Sequence, residues 1–182
     1  MTEDESFLPR IRRFDQEALG ELYDRYSPGI YRYAMRLLGD PEQAEECVSE
    51  TFSRLLTGLR SGRGPDRYVQ AYLYRIAHNW ITDLYRRRSP PVLPLELEWV
   101  ADTEAEPYHE TANRLEQEQV RASLELLTPE QRQVIVLKYL EDLSHEEIAR
   151  VMRKPVGAVK ALQHRGLAAM RRLLRREEEL EQ

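Results

Sequence analysis

The chain has 182 residues, of which 41 % are apolar and 32 % are charged, with a net charge of −5. This balance is typical of a soluble globular protein of one or two small domains. It excludes a low-complexity chain, and no apolar run approaches the roughly 18 residues that a membrane span requires.

The first residues and the cysteine content indicate the cellular compartment. The first residues are acidic and lack the apolar core of a signal peptide. The single cysteine, Cys47, cannot form an internal disulfide, which favours the reducing cytoplasm. Cys47 and the four histidines show no metal-ligand spacing, so we expect neither a metal nor another cofactor.

Charge is distributed unevenly along the chain. Residues 148–176 carry nine basic side chains and no acid, whereas residues 89–113 carry six acids and no Lys or Arg. A basic segment of this kind indicates a polyanionic partner for that segment alone.

The apolar periodicity predicts helices throughout, in an all-α fold. Asp40, Pro41 and Gln43 form one helix-start pattern, and a second begins at Thr128. No segment shows the sustained alternation of a strand. The predicted helices cover residues 14–38, 41–59, 66–88, 114–126, 129–140, 144–152 and 156–176.

Between the two sets of helices lies "SPPVLPLELEWVADTEAEPYHETAN", residues 89–113. It contains four prolines and no helical periodicity. We interpret it as an acidic linker between two small helical domains, residues 1–88 and 114–182.

The helix that starts after Asp40 has an acidic edge formed by Glu42, Glu45, Glu46 and Glu50. Such an edge is either a solvated face or a docking surface for a basic partner.

The helix predicted over residues 66–88 contains "AYLYRIAHNWITDLYRRR", in which aromatic residues alternate with arginines. Single-stranded nucleic acid is bound by this combination, because bases stack on rings and the cations hold the backbone. The same aromatics could instead be ordinary half-buried side chains.

The segment "HEEIARVMRKPVGAVKALQHR", residues 145–165, predicts a helix-turn-helix. Its turn has Arg153 where glycine is frequent, and Pro155 can break and restart the helix. A left-handed Arg153 would cost about 1–2 kcal/mol. The side chains placed outward on the second helix are those of Gly157, Lys160, Ala161, Gln163, His164 and Arg165.

In this order the segments resemble a small bacterial RNA polymerase sigma factor of the extracytoplasmic-function (ECF) type. The resemblance covers roughly residues 14–88 and 114–174. "AEECVSETFSRLL" is similar to the family helix that docks on the β′ clamp coiled coil. "AYLYRIAHNWITDLYRRR" is similar to the reader of the −10 element. "LTPEQRQVIVLKYLEDLSHEEIARVMRKPVGAVKALQHRGLAAMRRLL" is similar to the domain that binds the β-flap tip and reads the −35 element.

The resemblance implies roles for particular residues. Asn79 would hold a flipped base of the −10 element. The remaining −10 contacts would come from Tyr72, Arg75, Trp80, Arg86, Arg87 and Arg88. The −35 contacts would come from Arg153, Lys154, Lys160, Ala161, His164 and Arg165. The clamp contacts would come from Glu46, Ser49 and Glu50.

The sequence departs from the family pattern at four places. Ser49 stands where glutamine is common, and Arg153 where glycine is. The loop "RSGRGPDR" lacks the aromatic often found before the −10 helix. Gln163 stands where an apolar residue is frequent, and Leu162 takes that role.

The resemblance implies core RNA polymerase and promoter DNA as partners, no membrane insertion, and an anti-sigma protein as a candidate regulator. Two other functions fit parts of the sequence. A stand-alone helix-turn-helix regulator explains only the C-terminal half. An anti-sigma-like adaptor leaves the basic segment without a use. An enzyme is disfavoured because the sequence has no nucleophile–base pair, metal spacing or phosphate loop.

Overall fold

In the computed structural model, the backbone is described for residues 3–87, 120 and 122–180, and side chains for 8–87, 120 and 122–172. The N-terminal helices are α1 (Glu3–Arg12), α2 (Gln16–Leu38), α3 (Pro41–Arg60) and α4 (Val69–Arg87). The C-terminal helices are α5 (Pro129–Tyr139), α6 (His145–Met152) and α7 (Val156–Leu180), preceded by helical residues 122–125. No strand occurs in these ranges, and the all-α prediction is confirmed. The linker predicted over 89–113 lies outside the described residues.

The N-terminal helices form a bundle in which α2, α3 and α4 pack on one another. Asp15 and Asp40 cap α2 and α3, since each carboxylate accepts backbone N–H bonds from the first turn of its helix. The buried stripe of α3 contains Ala44, Val48 and Leu55. No described helix is long and apolar enough to span a membrane.

Helix α1 was not predicted from the sequence. It contains Pro9, and a proline inside a helix weakens the helix signal because it removes a backbone donor. Leu8 and Ile11 nevertheless insert into the core, where Ile11 is fully buried. Because a helix of this length is marginal alone, its packing on α2 and α4 stabilises it.

The C-terminal helices begin as their sequences predict. Thr128 with Gln131 and Ser144 with Glu147 form complete capping boxes at the starts of α5 and α6. Helix α7 packs on α5 and α6, and Gly166 permits the close approach of α7 to Ile135 on α5. A Cβ at residue 166 would lie 3.1 Å from Ile135 Cγ1.

The corner between α6 and α7 forms the predicted turn of the helix-turn-helix. Arg153 adopts the left-handed conformation, with φ 53° and ψ 45°. The backbone N–H groups of Arg153 and Lys154 both donate to the carbonyl of Ala149. The carbonyl of Pro155 accepts the first bonds of α7. The chain therefore turns at an arginine that adopts a conformation usually occupied by glycine.

The two groups of helices are in contact with each other. Helix α4 packs against α6, and α2 packs against α5. Glu141, in the turn after α5, is buried at this contact and reaches α2 and α4. The described parts of the chain therefore form one closed arrangement.

We predict that Arg153→Gly stabilises the protein. Glycine removes the left-handed penalty of about 1–2 kcal/mol but loses about 0.5–1 kcal/mol through its freer unfolded chain. The expected net gain is about 0.5–1 kcal/mol in the free energy of unfolding, measured by urea denaturation. Arg171→Gly, inside α7, is the matched control and should lose about 1 kcal/mol. A less stable Arg153→Gly variant would contradict the strain assigned to this turn.

Candidate nucleic-acid interface

One face of α4 gathers most of the residues expected to contact single-stranded DNA. At about 100° per residue, the side chains of Tyr72, Arg75, Asn79 and Arg86 fall within an arc of about 60°. The buried stripe of α4, which includes Leu73 and Ala77, lies on the other side of the helix. We call these four residues the reading arc.

Contacts inside the reading arc hold its aromatic and basic groups together. The Arg75 guanidinium lies 5.4 Å from the centre of the Tyr72 ring. The Tyr72 hydroxyl donates to the carbonyl of Arg63 at 3.2 Å. A Cβ at Gly58 would lie 2.7 Å from that hydroxyl, so the tyrosine depends on glycine at that position. Tyr72 is thereby fixed against the loop between α3 and α4, with Arg75 beside it.

Asn79 lies at the centre of this group and is half-buried. Within the part of the chain that the structure describes, no side-chain partner holds its amide. An amide carries both donors and acceptors, so it can bind the Watson–Crick edge of an extruded base.

The structure does not bring all seven expected −10 residues together. Trp80 is half-buried and packs against the core, about 100° around α4 from Asn79. Arg87 is exposed on the same side as Trp80. Arg88 lies outside the described residues. Arg86 is exposed in the reading arc and pairs with Asp83 at 3.8 Å.

Tyr68 is a candidate that the sequence reading missed. Its carbonyl accepts the N–H of Tyr72 at the start of α4, which puts it in line with the reading arc. Its ring is 38 % exposed. The loop "RSGRGPDR" has no aromatic residue, but Tyr68 follows it directly and supplies an aromatic at the entrance to the helix.

His78, next to Asn79, faces the other way. It is buried, with its Nδ1 lying 3.4 Å from the Tyr33 hydroxyl. Burial lowers the pKa of the imidazole from 6.5 to about 4, and Glu130 and Lys154 act on it with opposite signs. His78 is thus a neutral core residue at the contact with the C-terminal helices.

The expected clamp-docking residues share one solvent-facing side of α3. Glu46 and Ser49 are exposed, and Glu50 is half-buried. Glu50 accepts a hydrogen bond from Arg54 at 2.7 Å, one turn later on the same helix. This acidic surface lies opposite the buried stripe of α3.

Helix α7 presents its basic surface away from the core. Val159 and Leu162 are buried, while Lys160, Ala161 and His164 are exposed. Arg165 is exposed as well, and Arg153 extends the surface at the corner. Lys154 is instead half-buried and pairs with Glu130 at 2.8 Å. A duplex could therefore contact every expected −35 residue directly except Lys154, whose ion pair would have to open.

The outward placement of Gln163 was wrong. Its amide oxygen lies 2.5 Å from His145 Nε2, and its amide nitrogen donates to the Tyr139 hydroxyl at 2.6 Å. Gln163 therefore links α5, α6 and α7 and braces the helix that carries the basic surface. Among the described residues, no cluster of three or more His, Cys, Asp or Glu side chains could hold a metal ion.

Comparisons with known proteins match both groups of helices to known families. Residues 22–90 match the family model of Sigma-70 region 2, and residues 117–170 match that of Sigma-70 region 4. The ECF RNA polymerase sigma factor SigW of Bacillus subtilis is 34 % identical over 180 residues, covering 92 % of this chain and 95 % of SigW. BldN of Streptomyces coelicolor, also an ECF sigma factor, is 33 % identical over 169 residues, covering 92 % of this chain and 64 % of BldN.

Solved structures show the same fold. CnrH, in complex with the cytosolic domain of CnrY, matches with a TM-score of 0.72 and 27 % identity, covering 94 % of this chain and 96 % of CnrH. RpoE of Bartonella quintana matches with a TM-score of 0.65 at 19 % identity, covering 90 % of this chain and 98 % of RpoE. The chain belongs to the ECF sigma factors of RNA polymerase.

Proposed function

We propose that this chain is a promoter-specificity subunit that binds core RNA polymerase and recognises the −35 and −10 elements. The observation that carries the proposal is the coexistence of two separate nucleic-acid surfaces, the reading arc on α4 and the basic face of α7. The polymerase supplies the catalytic site, and this factor performs no covalent chemistry. Its place of action is the cytoplasm, with the transcription machinery.

At the −10 element, the reading arc supports capture of an unpaired base. Flipping a base costs a few kcal/mol, which contacts to the flipped base must offset. Asn79 offers the hydrogen bonds, Tyr72 a stacking surface, and Arg75 and Arg86 charge for the backbone. Trp80, Arg87 and Arg88 complete the proposed −10 contacts. Melting is then driven by trapping the single strand.

At the −35 element, α7 lies in the major groove in the manner of a recognition helix. Lys160 and Arg165 supply charge to phosphates or guanine edges, and Ala161 allows close approach. His164 lies between them, Arg153 reaches the flanking backbone, and Lys154 does so when its ion pair with Glu130 opens. The absence of acids from residues 148–176 favours this role.

Two polymerase contacts complete the proposal. The acidic side of α3, with Glu46, Ser49 and Glu50, docks on the β′ clamp coiled coil. The C-terminal helices bind the β-flap tip. In this division, residues 1–88 form the domain for the clamp and the −10 element, and residues 114–182 the domain for the flap and the −35 element. Residues 89–113 form the linker.

An anti-sigma protein is the proposed regulator. The chain is similar over 94 % of its length to CnrH, which was solved with the cytosolic domain of CnrY. The rival functions have weaker support. A stand-alone regulator or an adaptor gives no role to the reading arc, and a regulator should footprint a palindromic duplex without polymerase.

Asn79→Ala tests the −10 assignment. The variant should assemble with core polymerase as the wild type does but lose most open-complex formation, because the flipped base loses its hydrogen-bonding partner. Permanganate reactivity of the −10 thymines measures the opening. Gln16→Ala, which truncates an exposed amide on α2, is the control. Normal melting with Asn79→Ala would refute the assignment.

Glu50→Lys tests the clamp-docking surface. The substitution reverses one charge of the acidic surface and places a second cation beside Arg54. We expect holoenzyme assembly to weaken at least about tenfold, measured by titration with labelled core polymerase. Asp24→Lys, a charge reversal at an exposed position of α2, should assemble normally. Equal affinities for the two variants would count against docking through α3.

Lys160→Ala tests the −35 surface. If Lys160 neutralises one phosphate, holoenzyme binding to promoter DNA should lose about 0.9 from the slope of log K against log salt. Lys138→Ala is the control, because the Lys138 ammonium donates to the carbonyl of Leu143 within the C-terminal group. An unchanged slope for Lys160→Ala would exclude the phosphate contact.

A further inference from the structure

The contact between the two groups of helices is centred on a buried carboxylate. The side chain of Glu141 is 2 % exposed. It accepts a hydrogen bond from the Tyr74 hydroxyl of α4 at 2.7 Å, and pairs with Arg36 at 3.3 Å and Arg32 at 3.5 Å, both on α2. We call these four residues the Glu141 cluster.

The Glu141 cluster joins parts of the chain that are far apart in sequence. The carboxylate belongs to the C-terminal group, and its three partners belong to the N-terminal group. A buried carboxylate requires such partners, because a charge removed from water is costly when unpaired. Burial raises the pKa of Glu141, while the hydrogen bond from Tyr74 and the two arginines oppose that rise.

Gly29 on α2 shows how closely the two groups approach. A Cβ at residue 29 would lie 2.5 Å from the Tyr74 hydroxyl and 3.1 Å from Glu141 Oε2. Glycine inside a helix costs about 0.5–1 kcal/mol relative to alanine. Here it leaves the space in which Tyr74 and Glu141 meet.

The same contact covers Tyr68, the aromatic residue in line with the reading arc. The Arg150 guanidinium of α6 lies 3.9 Å from the centre of the Tyr68 ring. A cation at that distance occupies the aromatic face on which a base would stack. In the closed arrangement, a residue of the other group thus covers one face of the Tyr68 ring.

In the closed arrangement, the two DNA-binding surfaces are also too close together to contact both promoter elements. Elements centred near −35 and −10 lie about 25 base pairs apart, or about 85 Å along B-DNA at about 3.4 Å per base pair. Here α4 packs on α6 and α6 packs on α7, which puts the axes of α4 and α7 within about 20 Å of each other where they pack. Both elements cannot be bound until α4 and α6 separate.

We infer that the Glu141 cluster is an autoinhibitory latch, which holds the free factor closed, with Arg150 on Tyr68, until assembly with polymerase separates the two groups. The inference rests on the proposed function, since it requires two promoter contacts. In physical terms, polymerase binding offsets the loss of the Glu141 contacts, and the face of the Tyr68 ring that Arg150 covers becomes available to DNA only then.

Two charge reversals of the full-length chain, one from each side of the contact, test the latch. Glu141→Lys places an ammonium against Arg32 and Arg36, and Arg36→Glu places a carboxylate against Glu141. Glu146→Lys, at an exposed position of α6, is the control. Circular dichroism verifies that each variant keeps the helical content of the wild type.

Two measurements are made on the free proteins. The first is the radius of gyration by X-ray scattering. The second is the affinity for a labelled random-sequence single-stranded DNA of about 12 nucleotides. Both reversals should enlarge the radius of gyration and tighten DNA binding at least about fivefold, whereas the control should match the wild type.

The outcomes separate the latch from the proposed function. Folded reversal variants as compact as the wild type would overturn the latch, as would expanded variants with unchanged DNA affinity. Run-off transcription at saturating factor tests the proposed function by itself, because the latch is already open in the holoenzyme. Failure of the wild type there would remove the promoter role, while the scattering result would still decide whether Glu141 holds the chain closed.

Discussion

Helix α4 has three sides with different roles, and the rest of the structure depends on that constraint. One side, through Leu73 and Ala77, is the core of the N-terminal bundle. A second side, through Tyr74 and His78, meets the C-terminal helices. The third side is left for Tyr72, Arg75, Asn79 and Arg86. Packing along the bundle side holds α4 rigidly, and a rigid support is what a base-capturing surface requires. The contact on the second side is the one that separates when the proposed latch opens.

The helix-turn-helix shows a comparable division between support and contact. Gln163 is held between His145 and Tyr139, and Arg153 takes a strained backbone conformation at the corner. These interactions fix the direction in which α7 leaves α6. Lys160, Ala161, His164 and Arg165 are exposed, which leaves them available to DNA. The proposed −35 specificity therefore depends on the residues that support α7 as well as on those that would touch a base.

The sequence predicted the elements whose causes are local. Capping boxes at Thr128 and Ser144, the apolar stripes of α3 and α4 and the Pro155 restart all act within a few residues. Helix α1 escaped prediction because its stability comes from burial of Ile11 rather than from its own sequence. Gln163 was wrongly predicted to point outward for a similar reason, because both partners of its amide lie on other helices.

The contacts between the two groups could not have been read from the sequence. Tyr74 and Arg36 lie 67 and 105 residues from Glu141, and nothing in the local pattern distinguishes that glutamate from its exposed neighbours. The shared face of Tyr72, Arg75 and Asn79 could have been predicted, because helical spacing alone places them together. The same spacing separates Trp80 from Asn79, a distinction that the family resemblance obscured.

Transcription from a promoter library tests most directly the claim that two surfaces of one chain read two elements. Core polymerase and the full-length factor are incubated with templates randomised upstream of the start site, and the transcribed templates are sequenced. The account predicts enrichment of two short blocks whose centres lie at a fixed separation of about 25 base pairs. Enrichment of a single palindrome, or no factor-dependent transcript, would contradict it.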